Sequence, residues 1–465
     1  MGQAVTVTFT VTSTGGTPAG NVTVSDGTET CVGTVAAGTC TLAPATAGAK
    51  TLVATYEGNA SFGTSTSSGA SHTVNAAAST TTITGQSPNP SAVGQPVSFT
   101  FTVAATAPGS GTPTGTVTVS DGTQNCSASV ALGNCSIAFS SVGGRTMTAS
   151  YAGDGNFAGS TSAPVSQTVG AAGTTTTITG HTPDPSVVGQ SVTVNFTVTS
   201  AGGTPTGTVT VSDGTDTCSG TVAAGTCTLT PATAGTKTLV ASYPGDPSFA
   251  SSTSAGTPHT VNAAPTTTTI TGDAPDPSVA GVGFTVTFTV TSSGGTPTGN
   301  VTVSDGTASC FASVAQGSCT LTSTTAGAET LTASYAGDGN FSGSTSAGEA
   351  HTVVSGAASQ LVFTVQPSNT QVGAIITPPV QVTATDAFGN VATDFAGNVT
   401  IAIGTDGSLF QNANLHGTLV VAAVNGVATF SDLSIDQVGG GYKLVVSATG
   451  PGGATSGAFN ITLLP

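Results

Sequence analysis

The eight cysteines fall into four pairs of one spacing, Cys31/Cys40, Cys126/Cys135, Cys218/Cys227 and Cys310/Cys319. Two thiols so placed can ligate a metal, act as a redox couple or close a disulfide. A structural zinc site takes four ligands. Each copy of the pattern offers two Cys and a recurring His (His72, His259, His351), which is Gln167 in the second copy, so the ligand set fails there. A redox couple is usually C-x-x-C at a helix N-terminus, where the thiol pKa is lowered, and the sequence has neither feature. A disulfide needs an even count, an oxidising compartment and Cα atoms within about 7 Å. Each pair brackets a Gly-containing turn such as Ala223-Ala224-Gly225. That predicts a hairpin whose strands run side by side and bring the sulfurs together. Stapling within each pair is therefore the expectation, with buried unpaired thiols as the alternative. A small residue two positions after the first Cys (Gly33, Ala128, Gly220, Ala312) leaves room for the bridge.

Other chemistry finds less support. Ser, Thr and Asp abound, but His is scarce and varies between copies, so no nucleophile, base and orienter set is legible and no catalytic residue is assigned. Paired carboxylates for glycoside cleavage need a cleft that the strand pattern does not supply. Trp is absent. Tyr56, Tyr151, Tyr243 and Tyr335 recur on the side of the strand that carries Leu239 and Ala241, and read as core tyrosines rather than sugar platforms. Asp154-Gly155-Asn156 and Asp338-Gly339-Asn340 are oxygen-rich loops, and Asp184, Asp273 and Asp276 lie near junctions between copies. Calcium takes six to eight oxygens, which makes Asp154, Asn156, Asp338 and Asn340 weak calcium candidates. The loop reads EGNASF in the first copy and PGDPSF in the third, and Asp and Gly are ordinary turn residues. The turn reading stands ahead, and no cofactor is expected. A self-formed Lys–Asn crosslink fails because Lys50 and Lys237 are Arg145 and Glu329 in the other copies.

Composition narrows the partners. The 465 residues include 20 acidic and 4 basic side chains, for a net charge of −16. So few bases cannot neutralise phosphates, which excludes nucleic acid, and they form no polybasic membrane contact. No segment reaches the ~20 apolar residues of a membrane helix. The opening GQAVTVTFTVTS already reads as a strand, with no secretory signal before it, and the expectation is a piece of a longer protein.

The elements that must position these residues repeat. Val-Ser-Asp-Gly occurs at Val24–Gly27, Val119–Gly122, Val211–Gly214 and Val303–Gly306, in steps of 95, 92 and 92. The three extra residues lie in ATAPGSGTP of the second copy, a turn that tolerates insertion. Within a copy the period is two. Val192, Val194, Phe196 and Val198 alternate with Ser191, Thr193, Asn195 and Thr197, so one face is apolar and the other hydroxyl-rich. About seven short strands in ~92 residues is the pattern of an immunoglobulin-like sandwich. The expected modules are 1–77, with its first strand missing and a sheet edge open, then 78–172, 173–264, 265–356 and a divergent 357–465. In the last, Val424-Asn425-Gly426-Val427 is a hairpin signal.

GTPTGTVTVSDGT, followed by AG-x-x-TL-x-ASY-x-GD-x-x-F and STSA, resembles the bacterial Ig-like domain repeats over residues 1–356. The LVFTVQPSNTQVG and DAFGNVATDFAGNVTIAI segments of the last module resemble an invasin-like bacterial Ig-like domain. The resemblance implies an all-β, elongated tandem array of five sandwiches, extracellular or on a bacterial cell surface. It implies a non-catalytic, adhesion-related spacer or stalk that meets a protein or glycan at a surface and is monomeric. The alternatives are a ligand-binding array with the last module as recognition unit, or accessory modules of a secreted enzyme or phage structural protein. Short joints (NAAPTTTTI, GAAGTTTTI, NAAASTTTI) restrict hinge motion. At about 40 Å per module, five would span about 200 Å.

Overall fold

The computed structural model describes residues 1–463, and every regular element among them is a strand. Residues 464 and 465 of the expected last module lie outside the described residues. The chain forms two compact units. One comprises Met1–Pro183, Val192–Leu229 and Thr238–Pro258; the other comprises Asp184–Ser191, Thr230–Lys237 and the described residues from His259 onward. The division runs through the third module.

The fourth module, within the second unit, shows the plan. Thr267–Ala274, Phe284–Thr291 and Ser318–Leu321 form a three-stranded antiparallel sheet. Phe284, Val286, Phe288 and Val290 point inward and are buried, while the threonines between them face out. β-Branched residues suit that pleated surface. In the facing sheet Gly327–Gly337 pairs with Asn300–Ser304 on one side and Glu349–Val354 on the other, and Ser309–Ser313 lies beyond Asn300–Ser304. Val301, Val303, Leu331, Ala333 and Tyr335 meet the first sheet. Each fully buried Val, Leu or Phe contributes roughly 1.5–3 kcal/mol. The first strand then changes sheets. After Pro275-Asp276-Pro277 the chain resumes as Ser278–Val279, parallel to Glu349–Val354 in the opposite sheet. Proline cannot donate to a ladder, so the paired prolines end one pairing where the next begins.

The second module, in the first unit, repeats this with Ser79–Ser87, Pro96–Ala105 and Asn134–Ala138 in one sheet and Ser91–Ala92 parallel to Val165–Gly170 in the other. In the third module Thr175–Thr182, Val192–Thr199 and Thr226–Leu229 form the matching sheet. In the first module Val5–Thr8 pairs with Thr39–Leu42 in a two-stranded sheet. The last module pairs Gln360–Val365 with Val380–Thr385 and Val427–Phe430. Its Asn425 and Gly426 have φ of 51° and 80° at a tight turn, the conformation that favours Asn-Gly.

Two expectations change. The cysteine strands are not partners in one ladder. Thr217–Thr221 pairs with Thr208–Ser212, whereas Thr226–Leu229 pairs with Val192–Thr199 in the other sheet. The short turn between them carries the chain across the sandwich, so the Cys218–Cys227 bond, with Cα atoms 5.8 Å apart, ties sheet to sheet. The small residue nearby answers to backbone rather than sulfur: a Cβ on Gly220 would lie 2.1 Å from the Thr226 carbonyl oxygen. Nor are all the cores separate, since the buried residues of the second and third modules form one contiguous cluster.

Candidate functional site

The conspicuous chemistry lies where modules meet and where the first strand changes sheets. Each joint is built into the following module. In the first unit Ala77 N–H donates to the Asn156 carbonyl and Ala158 N–H to the Ala77 carbonyl, both at 2.8 Å. Ala172 pairs in the same way with Ser248 and Ala250 at 2.9 and 2.8 Å. In the second unit Ala264 does so with Asn340 and Ser342, both at 2.8 Å. Backbone meets backbone beside two of the joints. A Cβ on Gly202 would lie 2.4 Å from the Val93 carbonyl oxygen, and one on Gly294 would lie 2.5 Å from that of Val188. Real Cβ contacts do not come so close, so glycine is required at both.

A side-chain clamp crosses three joints. Asn156 Oδ1 accepts from Ala47 N–H at 2.9 Å, one module back, and Asn340 Oδ1 accepts from Ala234 N–H at 2.9 Å. In the last module Asn390 Oδ1 accepts from Ala326 N–H at 3.0 Å while its Nδ2 donates to the Thr324 carbonyl at 2.8 Å. At the remaining joint the position of Asn156 and Asn340 is occupied by Ser248.

The aspartates considered for calcium anchor the loops that aim these clamps. Asp154 Oδ1 accepts from the Asn156 and Phe157 N–H groups at 2.8 and 2.9 Å, and its Oδ2 accepts from Thr114 N–H and Oγ1 at 2.8 and 2.7 Å. Asp338 repeats the set with Asn340, Phe341 and Thr298, and Asp246 with Ser248, Phe249 and Thr206. Asn59 receives the Ser61 and Phe62 N–H groups in the first module. The PGDPSF loop of the third module thus keeps its Asp in register. Burial opposes ionisation of Asp154, but the donated hydrogen bonds outweigh it and hold the carboxyl well below its usual range. Asp338, held chiefly by the Thr298 hydroxyl, falls to about 2. Asp246 also falls to about 2, its hydrogen bonds outweighing desolvation. The recurrent tyrosines are core residues at most 2% exposed. Tyr56 Oη donates to the Ala19 carbonyl at 2.7 Å. Burial, then the neighbouring Asp154, pushes Tyr151 up to about 12.

The other pairs are joined as Cys31–Cys40, Cys126–Cys135 and Cys310–Cys319, with Cα separations of 5.8, 5.8 and 6.0 Å.

The sheet change brings together a set that was not legible from sequence. Ser278 Oγ lies 2.8 Å from His351 Nε2, and His351 Nδ1 lies 2.5 Å from Asp273 Oδ2 and 3.5 Å from Asp276 Oδ1. The imidazole stacks on Phe284 with centroids 3.9 Å apart. This is the contact order of a Ser–His–Asp triad. Ser278 and His351 are each 1% exposed, however, so a substrate carbonyl has no route to Oγ. In the second module Gln167 stands at the His position and donates to Ser91 Oγ at 3.1 Å and the Pro88 carbonyl at 3.0 Å. An amide is no base, and it makes the same tie between first and last strands.

Repeated two-sheet sandwiches whose first strand changes sheets define a tandem array of immunoglobulin-like modules. The bacterial Ig-like domain (group 3) model matches residues 1–75, 83–170, 178–262 and 270–354, and the chain belongs to that family. No curated protein matches it significantly. Among solved structures it is similar to FdeC, an Escherichia coli adhesin, at 20% identity over 62% of this chain and 97% of that one, with a TM-score of 0.21. It is similar to a Ca2+-stabilized, ice-binding adhesin of an Antarctic bacterium at 20% identity over 83% and 100%, with a TM-score of 0.23. Fibronectin(III)-like modules of Clostridium thermocellum CbhA match at 21% over 38% and 92%, with a TM-score of 0.17. At such TM-scores these likenesses say nothing about what this chain does.

Proposed function

We propose that this chain is a non-catalytic spacer, a stalk segment of a secreted or cell-surface bacterial protein concerned with adhesion. The carrying observation is that linker residues are hydrogen-bonded into the following module at Ala77, Ala172 and Ala264. A free linker lets modules swivel, whereas one absorbed into a sheet edge does not. The four disulfides support an oxidising, extracellular setting. Small-angle scattering of the full chain tests the spacer. A maximum dimension near five module lengths is expected, and a compact particle rejects it.

A second reading, ligand recognition by the last module, draws on Leu409 and Phe410, which are 86% and 77% exposed on one loop. A cell- and glycan-binding screen comparing the chain with a Leu409→Ser/Phe410→Ser variant separates the two. Binding lost in the variant favours recognition, and no binding by either leaves the spacer.

A further inference from the structure

The group around His351 does more than tie two strands. We propose that Asp273, Asp276 and His351 bind a divalent transition-metal ion of the Zn2+ class. Each residue offers one ligand atom, and the three atoms lie within 4.8 Å of one another. Zinc at about 2.1 Å from each donor of a tetrahedral site sets donor separations of about 3.4 Å. The Nδ1 to Asp276 Oδ1 separation of 3.5 Å already fits, and the 2.5 Å contact to Asp273 has to widen to admit the ion.

The surroundings suit a metal in three ways. Ligating histidines commonly donate their other ring N–H to an oxygen acceptor, which fixes the tautomer. Here Ser278 Oγ lies 2.8 Å from Nε2, and the Phe284 ring holds the imidazole plane. The imidazole is fully buried, which orients it, while the Asp276 side chain is 42% exposed and gives an ion entry from solvent. Two carboxylates and one imidazole are a mixed O/N donor set that leaves a fourth position for water. Calcium prefers all-oxygen ligation with six or more donors, so the nitrogen favours the Zn2+ class.

The chain carries its own control. Repeat register places Gln86, Asn89 and Gln167 at these positions in the second module. The same backbone bond is made there: Asn89 Oδ1 accepts from Thr168 N–H at 3.0 Å, as Asp276 Oδ1 does from Thr352 N–H at 2.9 Å. Amides at all three positions keep the fold and remove the ligands.

The test is calorimetric titration of the chelator-stripped full chain with ZnCl2, with CaCl2 in a parallel arm. His351→Gln and Asp276→Asn are each expected to bind one equivalent fewer than the unaltered chain. Ser278→Ala is expected to keep that equivalent but weaken it about 10-fold. Metal binding is expected to move the His351 Nδ1 nitrogen resonance, and CaCl2 is expected not to compete. Equal stoichiometry in the unaltered chain and both ligand variants overturns the proposal, as does displacement of Zn2+ by an equal concentration of Ca2+. Should His351→Gln lose its folded circular dichroism, Asp276→Asn, at a half-exposed position, decides alone. Because the readout is the lost equivalent, ions held elsewhere on the chain do not disturb it.

Discussion

Asn340 Oδ1 accepts a 2.9 Å hydrogen bond from the backbone N–H of Ala234, 106 positions earlier and one module back. The donor belongs to the loop that precedes Gly235–Tyr243, and the acceptor to a loop locked by Asp338. Replacing Asn340 by Ala leaves the Asp338 lock intact and removes only the clamp. A hydrogen bond of this kind is worth about 1 kcal/mol. The Ala234 amide is expected to exchange about fivefold faster in Asn340→Ala, while the unfolding temperature of the fourth module holds. Unchanged exchange at Ala234 would mean that the clamp carries no weight in solution.

The aspartate locks make the modules acid-sensitive. Asp246 and Asp338 titrate at about 2 in the fold, against an ordinary value of 3.8. The unfolded chain therefore binds these protons more tightly. The stabilisation is complete above about pH 4 and drains away as the pH falls towards 2. Thr298→Val deletes the hydroxyl that is the largest cause for Asp338. The slope of unfolding temperature against pH between 4 and 2 is expected to flatten in this variant for the fourth module, and an unaltered slope would count against the lock.

How far the sequence alone reached follows from the range of the interactions. The apolar rhythm of Phe284, Val286, Phe288 and Val290, the inward tyrosines and the Asn425-Gly426 turn are local, and each was legible because side chains alternate and turns have their own residues. The crossing of the cysteine strands was not. Ala223-Ala224-Gly225 looks the same whether the ladder continues or the chain passes to the facing sheet, and the choice is made by partners at Val192–Thr199 and Thr208–Ser212. Asn156 and Asn340 invited an ion because the sequence hides the previous module's N–H groups. His351 meets Ser278 across 73 positions and Asp273 across 78, brought together by a sheet change that only the paired prolines hinted at.

The fourth module departs from its copies at a charged position. Burial opposes ionisation of Asp121 in the second module, but hydrogen bonds from Gln124 and Thr123, helped by the Arg145 charge 3.5 Å away, hold its carboxyl low. Register places Glu329 where Arg145 stands, facing Asp305. Burial pushes the Glu329 carboxyl up, with Asp305 adding to the effect and Ser323 opposing it. A raised folded pKa stabilises only below the ordinary value of 4.5 and is lost as the pH rises through the folded value, so at pH 7 this glutamate works against the fold. Glu329→Lys restores the residue type of the first and third copies. A gain of about 1 kcal/mol is expected, a rise of about 4–8 °C in the melting temperature of the module. An unchanged or lower melting temperature at pH 7 would show that Asp305 gains nothing from a facing cation.

Sheet-to-sheet disulfides separate the first four modules from the last, which has no cysteine. In the chain-entropy model, closing a loop of about ten residues contributes about 2–3 kcal/mol. Here it also holds together the two sheets whose apposition makes the core. In urea unfolding, dithiothreitol is expected to lower the unfolding free energy of each of the first four modules by that amount and so move their transitions to lower denaturant. The transition of the last module is expected to stay in place and serve as the internal reference. Were the cysteines unpaired thiols, reductant would move nothing. A shift confined to one module would mean that the bond forms in that copy alone.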